Sequence, residues 1–442
     1  MCSSKARTKK KRKEAYRTEQ RTLEFTLEPI ARHKYSELVV RLAGLIRTRV
    51  QCGSRSVVDI LKIINDVFNG VLGELPCYNT IDNWVKKCGL DISNNSGQTL
   101  SDTPYAMIVD DSMMVGSEKL LLALGIPAKH QGHPLKHSDI TFLDMSVAST
   151  WNGIEIQKRL ESCAKGVGHH PEYVISDNAS VMCKGIRLAG YTHHRDISHS
   201  LGMFLERTYK NETDFKEFTK LMSNAQFKHN MKAVAHLLPP TQRTIARFMN
   251  LTSWVDWAGK MLAVYHRFSR EEKQVFSFIP QHASLVEELK EVMSCITFIE
   301  NECKHQGLSR QTIDRCETKI REVLFPGTER MQKIGESICQ FLDKEVSMMK
   351  DDDYPRNNSS DIIESTFGVF KARKSPNKLY GVTSFVLFLP AHAQMASDKS
   401  PDDYKFKEHL ENIKIWQINE WANTYLTKNL VCKRSCRLKN AG

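Results

Sequence analysis

The sequence predicts a mixed α/β core interrupted by a large all-helical block, with a smaller helical unit ahead of it. Three observations support this. Short apolar runs ending in acidic residues stand at 105–111 and 173–177, strand patterning vanishes from about 201 to 349, and amphipathic stripes fill that interval and 35–88. A chain of 442 residues exceeds the size at which one core stops growing, so several domains are expected. Its 41% hydrophobic and 26% charged residues exclude a disordered or fibrous class. No apolar run approaches the roughly 18 residues of a membrane span, and no apolar stretch follows the basic N-terminus as a secretory signal requires. The 12 Cys lack paired spacing, which fits reduced thiols and a cytoplasmic location, nucleoid-associated in a prokaryote. The formal charge of +12 favours a polyanionic partner.

Residues 1–20 read as a basic disordered tail, densest in Lys and Arg at 4–13, where it either neutralises phosphates or is simply solvated. A helical unit then runs over 21–95. Leu38, Val39, Leu42, Leu45 and Ile46 recur at helical spacing, and Val57, Leu61, Ile64 and Phe68 mark the buried stripe of a second helix that stops at Gly70. Asn79 is placed to cap a short third helix, with Ile81, Trp84, Val85 and Cys88 inward and Gly89 ending it. Asn83, Lys86 and Lys87 then point outward, as on a helix-turn-helix reader of DNA. A small bundle with no DNA role carries the same pattern, and the two readings stay open.

After a polar linker at 90–103, residues 96–205 hold the first part of the α/β core. Strands are expected at 105–111, 119–124 and 139–147, followed by a helix with Ile156, Leu160, Cys163 and Val167 on one face. A buried strand at 173–175, a helix to Gly190 and a short strand at 192–197 complete it. Residues 206–350 read as an all-helical insertion. The core resumes over 351–400 with a Ser-capped helix whose Ile363, Phe367 and Phe370 face inward, and 401–442 form one long terminal helix and a basic tail. Trp151, Trp254 and Trp257 are assigned to core or interface packing, the alternative being stacking on flipped bases.

Three acidic residues stand out in this frame. Asp110 ends the first strand, with Asp111 beside it. Asp177 sits on a strand-to-helix corner, where open α/β sheets place their ligands, although capping the next helix is the plainer role. Glu364 lies in the first turn of the late helix. Together with Met107-Ile108-Val109-Asp110-Asp111-Ser112, Ile175-Ser176-Asp177-Asn178, Asp196-Ile197-Ser198-His199 and Ile362-Ile363-Glu364-Ser365-Thr366-Phe367-Gly368-Val369-Phe370-Lys371, they give the chain its resemblance to the DDE transposases of the ribonuclease H-like superfamily. The likeness covers about 105–200 and 355–390.

The resemblance implies a ribonuclease H-like catalytic core with a helical insertion between the second Asp and the Glu, acting on double-stranded DNA at element ends and target. It implies Asp110, Asp177 and Glu364 as catalytic ligands of two Mg²⁺ ions, with Mn²⁺ as a substitute, and His199 beside the scissile phosphate or the carboxylates. A structural His199 is the alternative. In-line displacement at phosphorus suits two ions about 4 Å apart, and hard Mg²⁺ prefers carboxylate oxygen. Strand alternation allows only one of Asp110 and Asp111 to face Asp177, and the resemblance favours Asp110. Lys371, Arg373 and Lys374 are expected to position phosphates, with Gly368 allowing close approach. A homodimer or larger synaptic oligomer is expected. Two other readings are a ribonuclease H-like nuclease or resolvase that cuts without joining, and a domesticated DNA-binding protein without catalysis.

Overall fold

The structure, a computed structural model, describes residues 30, 33–112, 115–116, 118–240, 248, 251–349, 354–373, 379, 381–395, 405–427 and 430–439. The 1–20 tail and Lys374 lie outside the described residues. Among the described residues, helices α1 (Glu37–Thr48), α2 (Ser54–Val67) and α3 (Tyr78–Asn94) come first. Then follow β1 (Tyr105–Asp111), β2 (Lys119–Pro127), β3 (Thr141–Ala148), α4 (Gly153–Val167), β4 (Val174–Ser176), α5 (Ser180–Leu188) and β5 (His193–Arg195).

The five strands form one mixed sheet in the order β3-β2-β1-β4-β5, with β1 central. β1, β2 and β3 pair antiparallel, while β4 and β5 run parallel to β1. Strand alternation sorts the apolar residues onto two faces. Met107, Val109, Leu121 and Val174 bury one face under α4 and α5, where Ile156, Leu160, Met182 and Ile186 meet them. Trp151 is buried in the same layer. Ala106, Ile108, Leu122, Leu124 and Ile175 bury the other face. A mixed α/β class with the expected run of strands and helices is therefore observed.

A helical block follows: α6 (Ile197–Tyr209), α7 (Thr213–His229), α8 (Leu251–Val264), α9 (Arg270–Val275), α10 (Phe278–Gln281), α11 (Ala283–Gln306), α12 (Arg310–Val323) and α13 (Glu329–Ser347). Its apolar stripes close a core of their own, running from Ile197 to Leu342 and including Trp254, with Trp257 packed against it. Among the described residues this interval contains no strand.

The chain then returns to the sheet and its core through α14 (Asp361–Arg373), α15 (Phe388–Met395), α16 (Phe406–Asn412) and α17 (Ile415–Tyr425), and α18 (Leu430–Lys439) follows with no buried residue among those described. Ile363, Phe367 and Phe370 of α14 face inward as the spacing predicts, and they join the core that the second sheet face shares with α1–α3 and α15–α17. The single terminal helix expected beyond 401 is instead divided at Ile413, whose extended backbone ends α16 and buries its side chain.

The N-terminal helices depart most from expectation. α3 does not stop at Gly89 but continues to Asn94, because Gly89 is a contact point and not a terminus. A Cβ there would lie 1.8 Å from the carbonyl oxygen of Leu387, so only glycine lets α3 approach the segment leading into α15. Asn79 falls inside the helix, which begins after Cys77. Lys87 is buried and not outward: its Nζ donates to the carbonyl oxygen of Leu410, 3.2 Å away, capping α16. Phe68, expected in the buried stripe of α2, is 63% exposed, whereas Val57 and Leu61 are fully buried.

Candidate active site

The carboxyl ends of β1 and β4 set the geometry. Met107 pairs with Val174 and Ile108 with Ile175, so the register carried two residues on sets Asp110 beside Asp177. Adjacent strands lie about 4.8 Å apart. Alternation along β1 puts Asp110 on the face of Ala106 and Ile108, the face that α14 covers, and Asp111 on the opposite one. Asp111 is engaged there by Lys119, whose Nζ lies 2.9 Å from its carboxylate. Desolvation, with Asp177 and then Asp111 nearby, pushes the Asp110 carboxyl up to about 8. One Asp177 oxygen accepts from the backbone N–H of Ala179 at 3.0 Å, so Asp177 also turns the chain toward α5.

His199 enters from the first turn of α6. Asp196 caps that helix, accepting from the His199 N–H at 2.7 Å through Oδ1. Its second oxygen accepts from both the backbone N–H and the hydroxyl of Ser360, at 2.6 and 2.9 Å. The expected Ser cap of α14 is thus turned toward Asp196. One fully buried carboxylate therefore fastens the start of His199's helix to the residue before Glu364's helix, and the Ile197 N–H donates to the Asn358 carbonyl beside it. Burial pushes the Asp196 carboxyl upward, opposed by these donors.

Glu364 meets His199 directly. Its Oε1 lies 2.8 Å from His199 Nε2, an ion pair with the ring protonated. The Glu364 bond, followed by Asp196 and Asp177 against the cost of burial, raises the imidazole to about 9. The same bond holds the Glu364 carboxyl below its ordinary range. Thus Asp110, Asp177, His199 and Glu364 form one electrostatically linked group, although they come from β1, the β4–α5 corner, α6 and α14. No family model and no curated protein matches the chain. The group must be read from its own chemistry.

Its donor set is oxygen-rich, of the kind Mg²⁺ prefers, and a carboxyl raised by desolvation and then by two neighbouring carboxylates is one that a cation would stabilise. Asp110 and Asp177 fit that role. Among the described residues, however, no three His, Cys, Asp or Glu side chains gather closely enough to hold a metal ion, and Glu364 is engaged by His199.

The basic residues divide. Lys371 lies on α14 with its Nζ 5.4 Å from the ring centre of Phe367. Gly368, one turn before it, faces open space. Arg373 is not free to grip phosphate, because its guanidinium donates to Gln51 and lies 5.8 Å from the ring centre of Phe388. Asn83 and Lys86 are half-buried on α3, remote in sequence from the carboxylates.

Residues not singled out by their pattern hold the site together. Residues 354–360 form a strap between sheet and helical block: Arg356 exchanges backbone hydrogen bonds with Leu308, and His130 N–H donates to Pro355. Arg356 Nη1 donates to His194 Nε2 at 3.3 Å, which leaves His194 Nδ1–H to donate to Glu345 of α13 at 2.8 Å. Lys304 of α11 pairs with Asp361, the first residue of α14. Glu345 looks like one more charge on an amphipathic helix, and nothing in the local sequence marks His194 as its partner.

Proposed function

We propose that the chain is a DDE-type DNA transposase with a ribonuclease H-like core, which binds the ends of its mobile element and cleaves and joins DNA strands. One observation supports this above the others: Asp110 and Asp177 close adjacent parallel strands, and Glu364 reaches the same group through His199 from the far side of a helical block of separate core. Half-buried carboxylates that meet at adjacent strand ends have no evident structural reason to converge. The sequence of three strands, helix, strand, helix and strand supports the ribonuclease H-like reading of the core, with the block as its insertion.

In this reading Asp110 and Asp177 would hold divalent cations, with Glu364 as the third ligand in place of its contact with His199. Two such ions, when bound, supply Lewis acidity to the attacking and leaving oxygens of the phosphodiester. His199, no longer held by Glu364, would face the scissile phosphate. Asp196 is a positioning residue, fixing the start of α6 against Ser360. The open surface at Gly368 leaves room for a DNA backbone, and Lys371 one turn on favours a phosphate there. Double-stranded DNA is the substrate, and joining two ends calls for a homodimer or larger oligomer. No described helix is long and apolar enough to cross a membrane.

The test incubates the protein and Mg²⁺ with labelled fragments from the DNA flanking its gene and a target plasmid. Joined products support the transposase. Nicks without joining would replace it with a nuclease or resolvase, and Mg²⁺-independent binding without cleavage would replace it with a DNA-binding protein.

A further inference from the structure

We propose that the basic groove between α5, the β5 edge and α13 is a second DNA-binding surface, seating the phosphate backbone of duplex leading away from the carboxylates. The groove encloses about 860 Å³, and its walls carry Lys184 and Arg187 from α5, Arg195 from β5 and Lys344 from α13. Lys184, Arg187 and Lys344 are exposed. None of the four cations pairs with a carboxylate among the described residues, whereas exposed cations of the helical block such as Lys210, Arg321 and Lys333 each have an acidic partner one turn away. The one carboxylate in the lining, Glu345, is buried and accepts from His194 and from the Arg195 N–H. It leaves the cations unneutralised.

Four like charges facing one concavity repel each other, and a row of phosphates is the partner that relieves this. Position argues for the same ligand. α5 begins three residues after Asp177, and Arg195 ends β5 immediately before Asp196, so Ser180 and Arg195 of the groove lining lie at the carboxyl ends of the parallel strands, the edge of the sheet that also carries Asp177. The Lys184 stem lies over Gly153 at the start of α4, where an added Cβ would come within 2.7 Å of its Cγ. The choice of DNA among polyanions rests on the proposed function; the location rests on the groove itself.

Affinity for an arbitrary 40-base-pair duplex, measured in EDTA from about 50 to 200 mM KCl, tests this. Each phosphate neutralised contributes about −0.9 to the slope of log K against log salt. Combining Lys184→Gln, Arg187→Gln and Lys344→Gln is expected to reduce the slope by about 2 to 3, while Lys210→Gln with Lys333→Gln leaves it unchanged. An unchanged slope in the triple variant would overturn the proposal. Acetylation of the wild-type protein tests it without mutation: saturating duplex should protect Lys184 and Lys344 but not Lys210 and Lys333, and equal reactivity with and without DNA would also overturn it. A slope that falls in the triple variant of a protein that never nicks DNA supports the groove while removing the transposase reading. Asp177-dependent nicking with an unchanged slope does the reverse.

Discussion

Asp110 and Asp111 differ only in which side of one strand they occupy, yet the consequences diverge. Asp111 meets Lys119, whereas Asp110 meets Asp177 and, through His199, Glu364. That the two fall on opposite faces was legible in the sequence because strand alternation is rigid, whereas the choice of Asp110 over Asp111 came from the resemblance. The fates of Lys87 and Arg373 were not, because a helical stripe identifies one inward face and cannot reveal that a later helix covers a second one. His392 illustrates the cost of such covering. Its Nδ1 lies 3.3 Å from the Thr48 carbonyl, its Nε2 is buried without a partner, and burial together with His137 pushes it down to about 4. The folded protein keeps this ring neutral while the unfolded chain protonates near 6.5, so stability is full above that pH and falls as pH drops toward 4. The loss from this group is on the order of 3 kcal/mol. Urea midpoints should fall from pH 7 to pH 4.5 less steeply in His392→Leu than in the wild type; equal slopes would refute the assignment.

At the scale of elements, strands and amphipathic stripes were readable because each period of 2 or 3.6 residues follows from backbone geometry. Ends were less so. Gly89 carries the usual mark of a helix terminus, but its missing side chain serves the approach of α3 to Leu387. Only the three-dimensional neighbour separates the two uses. Gly89→Ala is therefore expected to destabilise the fold by about 3 kcal/mol in chemical denaturation, since the clash is with backbone and cannot be relieved by a rotamer. A loss below about 0.5 kcal/mol, the ordinary surface value, would show that the helices do not meet there.

For the whole molecule, the question is what keeps the helical block in register with the sheet while α14 returns beside β1. The block has a core of its own, so its alignment depends on the strap at 354–360, on Lys304 with Asp361, and on Glu345 with His194 and the Arg195 N–H. Glu345→Ala leaves the buried His194 donor and the half-buried Arg195 N–H without an acceptor and is expected to cost about 3 kcal/mol, read as a lowered urea midpoint. An unchanged midpoint would mean that the block is held by other contacts. None of these long-range partners has a local signature, which is why the sequence located the carboxylates but not the framework that unites them.

The central claim is that Asp110, Asp177 and Glu364 act together on DNA. Nicking of supercoiled plasmid in Mg²⁺ tests it most directly, comparing the wild type with Asp110→Asn, Asp177→Asn, Glu364→Gln and Asp111→Asn, each checked for a native melting transition. The wild type and Asp111→Asn should nick and the other three should not; nicking by Asp177→Asn at the wild-type rate, or loss in Asp111→Asn with activity kept in Asp110→Asn, would contradict it.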